Sequence, residues 1–235
     1  MLKIENLTKK YGDKVAVNNL SLEINKGEIY GFIGHNGAGK TTTLKCVVGI
    51  SDFDEGEITL NGVSVKESPV EYKKKIAYIP DNPDLYEYMT GIKFLNFISD
   101  VFGIDTNTRK EKIDKLSEQF EIKNDLGKPI STYSHGMKQK LAIIAAWIHS
   151  PEFIIMDEPF VGLDPKAAHI LKGMMREACD NGCAIFFSTH VLEVAEKLCD
   201  KIAIIKKGDL IKSGTMEEVK GDDSLEDVFL EMEEN

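Results

Sequence analysis

No stretch of this 235-residue sequence stays apolar long enough to cross a bilayer. The longest runs, such as Leu141 to Ile148 and Phe153 to Met156, fall far short of the roughly 20 residues a spanning helix needs. The chain is not expected to span a membrane by itself. The opening MLKIENLTKK lacks the apolar core and small-residue cleavage site of a secretory signal, and the chain is expected to stay in the cytoplasm. Cysteine is scarce: Cys46, Cys179, Cys183 and Cys199 include no C-x-x-C pair. That argues against the common zinc and dithiol motifs and for free, buried thiols. Positive charge is also in deficit, with 29 Lys and Arg against 39 Asp and Glu and a formal net charge of −10. Such a chain is repelled by a phosphate backbone, so no nucleic-acid partner is expected. Much of the acid lies in the closing GDDSLEDVFLEMEEN, which reads as the solvated face of a terminal helix. Finally, 7 Pro and 19 Gly, without repeats or low-complexity tracts, fit neither a collagenous nor a disordered chain.

What is present, 42% hydrophobic and 29% charged residues, suits one packed α/β domain. Two strands, Leu2 to Leu7 and Val15 to Ile24, are predicted around a turn at Tyr11-Gly12-Asp13, followed by a strand Glu28 to Ile33 that runs into a glycine-rich loop. Helical character over Thr41 to Gly49 ends on glycine, a natural stop. Gly56 to Val65 reads as a hairpin about Asn61-Gly62, because Asn-Gly supplies the positive φ angles of a type I′ turn. A short helix near Val70 to Lys75 and a strand Lys75 to Ile79, stopped by Pro80, come next. Apolar spacing near 3.6 then predicts helices from about Leu85 to Ser150. Beyond Glu152, strands and helices alternate: Phe153 to Met156, Lys166 to Cys179, Ala184 to Ser188, Val191 to Leu198, Ile202 to Ile205. Such alternation predicts a mostly parallel sheet covered on both faces.

Gly34-His35-Asn36-Gly37-Ala38-Gly39-Lys40-Thr41 is a P-loop pattern between a predicted strand and a predicted helix. Its glycines let backbone N–H groups curl around phosphate oxygens, and the helix N-terminus adds a favourable dipole. Lys40 is expected to grip β and γ phosphates, Thr41 to place its hydroxyl on Mg²⁺, and Thr42 to add a phosphate contact. The apolar run Phe153 to Met156 delivers two acids, Asp157 and Glu158, at a strand's C-terminal end, where α/β sheets bind ligands. Asp157 is expected to hold Mg²⁺, directly or through water, and Glu158 to orient or deprotonate the attacking water.

With these motifs in order, the chain resembles the ATP-binding cassette family along essentially its whole length. Tyr133-Ser134-His135-Gly136-Met137-Lys138-Gln139 looks like the family signature, Gly162-Leu163-Asp164-Pro165 like its D-loop, and Ser188-Thr189-His190 like its switch histidine. The resemblance implies a RecA-like P-loop NTPase core with an antiparallel β-subdomain (residues 1–84 and 151–235 together) and an inserted helical subdomain (85–150). It implies ATP and Mg²⁺ as ligands, His190 contacting the γ-phosphate, and Tyr11 stacked on adenine. Ser134 and Gly136 would meet a nucleotide held by the P-loop of a second cassette, a copy or a different chain, with Asp164 working across that interface. Each residue also has a plainer reading: Ser134 and Asp164 are good helix N-caps, the latter before Pro165, and Tyr11 can simply pack the turn.

Two departures stand out. Asp81 occupies the place where the family usually has a glutamine; it can bind Mg²⁺ or its water through oxygen but cannot donate as an amide does. The signature has Tyr133, His135 and Met137 in place of the commonest residues, a form resembling the branch that serves exporters. The implied function is ATP hydrolysis to ADP and phosphate, powering a permease encoded separately, from the inner face of the cell membrane. The main rival is a soluble cassette working on ribosomes or DNA, which would need a coiled-coil insertion or a second cassette, and neither is present in the sequence. A second rival is an importer motor.

Overall fold

A computed structural model describes residues 1–234, with side chains described through Met232. In chain order the elements are β1 (Leu2–Tyr11), β2 (Lys14–Ile24), β3 (Ile29–Ile33), α1 (Lys40–Val47), β4 (Glu55–Leu60), β5 (Val63–Ser64), α2 (Pro69–Lys73) and β6 (Ile76–Ile79). There follow α3 (Gly91–Val101), α4 (Thr106–Gln119), α5 (His135–Ile148), β7 (Phe153–Asp157), α6 (Pro165–Asp180), β8 (Ala184–Thr189) and α7 (Leu192–Leu198). β9 (Lys201–Lys206), β10 (Asp209–Thr215), α8 (Met216–Lys220) and α9 (Leu225–Glu234) complete the order, with single 3-10 turns at Lys123–Asp125 and Ile130–Thr132.

β1 runs further than its alternation predicts, to Tyr11 rather than Leu7. Leu7 and Thr8 are consecutive and both buried, which breaks the two-residue period, and the pairing with β2 shifts register there. Asn6 (φ 51°) and Asn19 (φ 47°) take the left-handed turns that this irregularity needs. The Asn61-Gly62 turn is as read, with φ of 50° and 78° between β4 and β5. These strands form an antiparallel sheet in the order β2-β1-β4-β5.

The second sheet has the order β10-β9-β3-β8-β7-β6. It is parallel except at β10, whose antiparallel pairing with β9 closes one edge. β3, β7 and β8 are buried along their whole length, as expected of strands with both faces covered. One core lies between this sheet and the antiparallel sheet, with α1 filling it through Leu44, Cys46 and Val47. The other lies on the opposite face against α3 to α6, where Leu141, Ile144, Leu171 and Met175 meet Ile154 and Phe187. Both cores draw on the same strands, so the two layers of helix and sheet are braced on one parallel sheet.

α9 is more than an acidic solvated face. Leu225, Val228 and Phe229 are buried while Glu226 and Asp227 face out, so its apolar side packs on the body of the fold. The four thiols are all free, and burial pushes Cys46 and Cys183 up to about 11 and Cys179 up to about 12. No helix of the described residues is long and apolar enough to cross a membrane.

Candidate nucleotide site

Four parallel strands end on one side of the sheet, and each hands over a segment singled out in the sequence. β3 leads to Gly34, β6 to Pro80-Asp81, β7 to Asp157-Glu158 and β8 to His190. Between them lies a cleft of about 630 Å³ whose lining includes Tyr11, His35, Asn36, Gly37, Gly39, Lys40, Thr41, Thr42, Asp81, Asp157 and Glu158.

The loop from Gly34 to Thr41 is held from behind. Gly39 caps α1 at φ 113°, and a Cβ there would come within 2.5 Å of the Ala16 carbonyl. At Gly34 a Cβ would meet the Ile205 carbonyl at 2.5 Å. Both positions therefore require glycine for backbone clearance. The Gly208 N–H donates to the Ala38 carbonyl at 2.8 Å, tying the loop to the β9–β10 turn. No side chain caps α1, so its first N–H groups keep their donor capacity for an anion.

Lys40 is 6% exposed and donates to the carbonyls of Gly34 (2.5 Å) and His35 (3.3 Å). Burial lowers its pKa, opposed by the charges of Glu158 and Asp157. Its Nζ lies 3.6 Å from Glu158 Oε1. His190 Nδ1 approaches the same oxygen to 2.9 Å. Thr41 Oγ1 donates to Asp157 Oδ2 at 2.6 Å, and Ser188 Oγ donates to Asp157 Oδ1 in a short contact. Ser188 Oγ in turn accepts from the Glu158 N–H at 3.1 Å. One hydroxyl thus fixes both acids, each by a different atom.

The donor set suits a hard cation. Thr41 Oγ1 and Asp157 Oδ2 are adjacent oxygens, and Asp81 lines the same cleft. Among the described residues no three His, Cys, Asp or Glu side chains gather as a ready-made metal cage. Mg²⁺ binds through one or two protein oxygens together with phosphate and water, and Thr41 Oγ1 and Asp157 Oδ2 offer two such oxygens.

Ser134, Gly136 and Asp164 are not in the lining of this cleft. Ser134 caps α5, accepting from the Met137 N–H at 3.2 Å, and Asp164 caps α6, accepting from the Ala167 N–H at 2.8 Å. Lys140, 2.7 Å from Asp164, holds that carboxyl below the usual range. Gly136 sits against Gly162, whose carbonyl would be 2.8 Å from an added Cβ, so signature and D-loop are packed together. Sequence reasoning missed Lys14, Val15, Ala16 and Lys207, which also line the cleft. Their side chains arrive through the pairing of β2 and the β9–β10 turn, and no local spacing announces them. Ser188 was noted only as part of a motif; its strand-end hydroxyl is the joint between the acids.

A P-loop backed by a parallel sheet, a buried lysine and two strand-end acids define a nucleotide-hydrolysing protein of the α/β P-loop class. The model of the ABC transporter family matches residues 17–161. The linearmycin resistance ATP-binding protein LnrL of Bacillus subtilis is 35% identical over 92% of this chain and 69% of its own. A solved structure of the ATP-binding subunit of an ABC transporter is 32% identical, covers 99% of both chains and superposes with a TM-score of 0.95. The dimeric, post-hydrolysis cassette MJ0796 bound to ADP and Pi shares the fold, with a TM-score of 0.83 at 22% identity over 92% of this chain and 99% of that one. The chain belongs to the ABC transporter family, as the ATP-binding, ATP-hydrolysing subunit that powers transport.

Proposed function

We propose that the chain hydrolyses MgATP in this cleft as one of two cassettes that close together on ATP and drive a separate transmembrane permease. The observation that carries the reading is the convergence of Lys40 and His190 on Glu158 Oε1, at 3.6 and 2.9 Å. The N–H groups of Gly37 to Thr41 and the α1 dipole hold the phosphates, with Gly34 to Asn36 and Ala38 shaping the loop and Thr42 adding a contact. Lys40 leaves the loop carbonyls for the β and γ oxygens, and Tyr11 lies against adenine. Glu158 takes the proton of the water that attacks the γ-phosphorus, while the bond to the bridging oxygen breaks and ADP departs. His190 holds the Glu158 carboxylate and senses the γ-phosphate. Thr41 and Asp157 would hold Mg²⁺, and Asp81 would reach it or its water. When bound, the ion neutralises charge on the β and γ oxygens.

Ser134, Gly136 and Asp164, outside this cleft, serve the nucleotide of a partner cassette, either a second copy or a different chain. The dimeric state of MJ0796 supports that arrangement. Residues 85–150 act as the helical subdomain that carries the signature, the rest as core and β-subdomain. On that subdomain Tyr86, Tyr88 and Phe97 form an exposed aromatic cluster that begins five residues after Asp81. We assign this patch to the permease, which keeps the cassette on the inner face of the cell membrane. Asp81 in place of glutamine, the altered signature and a relative named for linearmycin resistance favour export. Glu158→Gln tests the core of the reading. The variant is expected to bind ATP, lose turnover by at least a hundredfold and accumulate dimer on size exclusion; normal phosphate release would overturn it.

A further inference from the structure

Tyr11 lines the nucleotide cleft and is 52% exposed. Two residues earlier on β1, Lys9 places its Nζ 4.9 Å from the centroid of the Tyr11 ring, within cation–π range. Lys9 does not line the cleft. The ammonium contacts the ring without being part of the cleft lining. The neighbouring lysine is engaged elsewhere: Lys10 Nζ lies 3.7 Å from Glu55, and the Lys10 N–H donates to Asp54. Lys9 makes no ion pair among the described residues, so the ring is its main partner.

We propose that Lys9 is a positioning residue for the nucleobase, holding the Tyr11 ring and polarising it for stacking on adenine. The inference rests on the reading above, in which Tyr11 meets adenine. Two physical effects follow from the geometry. A half-exposed tyrosine at a strand end would otherwise sample several rotamers, and the cation–π contact restricts it to the one facing the cleft. A cation on one face also draws π density toward itself, so the opposite face becomes a better partner for an electron-rich purine. Both effects act on the base, and neither acts on the phosphates.

The experiment is calorimetric titration of wild type, Lys9→Met, Lys9→Arg, Tyr11→Ala and the double variant Lys9→Met/Tyr11→Ala with MgATP and, separately, with inorganic triphosphate, which has no base. Lys9→Met keeps the aliphatic stem, and a thermal melt of each variant confirms folding. The expected result is a loss of ATP affinity of roughly two- to fivefold in Lys9→Met, the span of an exposed cation–π contact. Triphosphate affinity should be unchanged, Lys9→Arg should restore ATP binding, and Lys9→Met should add nothing once Tyr11 is alanine. In steady state KM should rise with kcat unchanged, as for lost uniform binding. Equal weakening of ATP and triphosphate would reduce Lys9 to general charge attraction and overturn the proposal. Wild-type ATP affinity in Lys9→Met beside a weakened Tyr11→Ala would overturn it too, leaving the stacking reading intact. Wild-type affinity in Tyr11→Ala would remove the stacking reading, and the proposal with it.

Discussion

Glu158 is a non-glycine residue at φ 47°, a left-handed conformation that costs about 1–2 kcal/mol. It is held there by its own N–H, which donates to both the carbonyl and the hydroxyl of Ser188. The strand-end turn thus trades backbone ease for a carboxylate aimed at Lys40 and His190. The sequence does not predict that conformation, because an apolar run ending in Asp-Glu carries no mark of its φ. That two acids lie in the cleft was legible, since the apolar run Phe153 to Met156 carries Asp157 and Glu158 to a strand's C-terminal end, where α/β sheets bind ligands. Lys207 and Ser188 were not, because their places depend on which strands lie side by side. If His190 fixes the Glu158 carboxylate, His190→Ala should cut kcat by about a hundredfold or more, in the range of positioned acid–base groups. ATP affinity, set mostly by the P-loop, should stay within about threefold. Single-turnover phosphate release beside equilibrium titration separates the two effects.

At the scale of elements, helix boundaries are legible where chemistry marks them. Ser134 and Asp164 announce α5 and α6 by their capping oxygens, and Gly49, at φ 67°, follows the end of α1. The bulged β1 and the buried side of α9 were read less well. In both, contacts distant in sequence override the local pattern: Thr8 turns inward to accept from Asn19, and Phe229 packs on His35 with ring centroids 4.9 Å apart. The end of α5 carries a testable consequence. His149 stacks on Phe102 with centroids 3.7 Å apart and donates from Nε2 to the Ile76 carbonyl at 3.2 Å, joining helix to strand. Burial lowers its pKa against the pull of the Ile76 and Ala145 carbonyls. The unfolded chain therefore takes up a proton near pH 6.5 that the folded chain refuses, and stability falls as pH drops below that value. The depressed carboxyls, among them Glu28 and Asp164, are present as stabilising anions above about pH 4.5 and fail only at lower pH. Urea denaturation at pH 7.5 and 5.5 should show the loss, and His149→Asn should shrink the difference between the two.

Across the whole molecule, the parallel sheet puts the cleft-lining segments at one end and carries α3 to α6 on one face. The exposed Tyr86 and Tyr88 lie five and seven residues beyond Asp81, so a partner resting on Tyr88 is linked by a short stretch of chain to the cleft. Tyr88 is 81% exposed, and its replacement by glutamate should leave the fold and the ATPase rate of the isolated chain unchanged. A charge in the middle of an apolar contact should nevertheless abolish co-purification of the polytopic partner from detergent-solubilised native membranes. Retention of that partner by Tyr88→Glu would move the docking surface elsewhere.

The sheet order also sets a problem of timing. Among the described residues β6 pairs only with β7, which begins about 70 residues later, so its two sides stay unpartnered until the intervening helices have been made. At roughly 5–20 residues per second, synthesis leaves the segment Ile76-Ala77-Tyr78-Ile79 exposed for several seconds. Such a strand is a template for adhesion between nascent chains. The sequence guards it at both ends: Lys73, Lys74 and Lys75 precede it, and Pro80 follows. The lysines that look like ordinary surface charge in the finished protein thus act as gatekeepers, keeping the future edge of the sheet from finding the wrong neighbour before the right one exists.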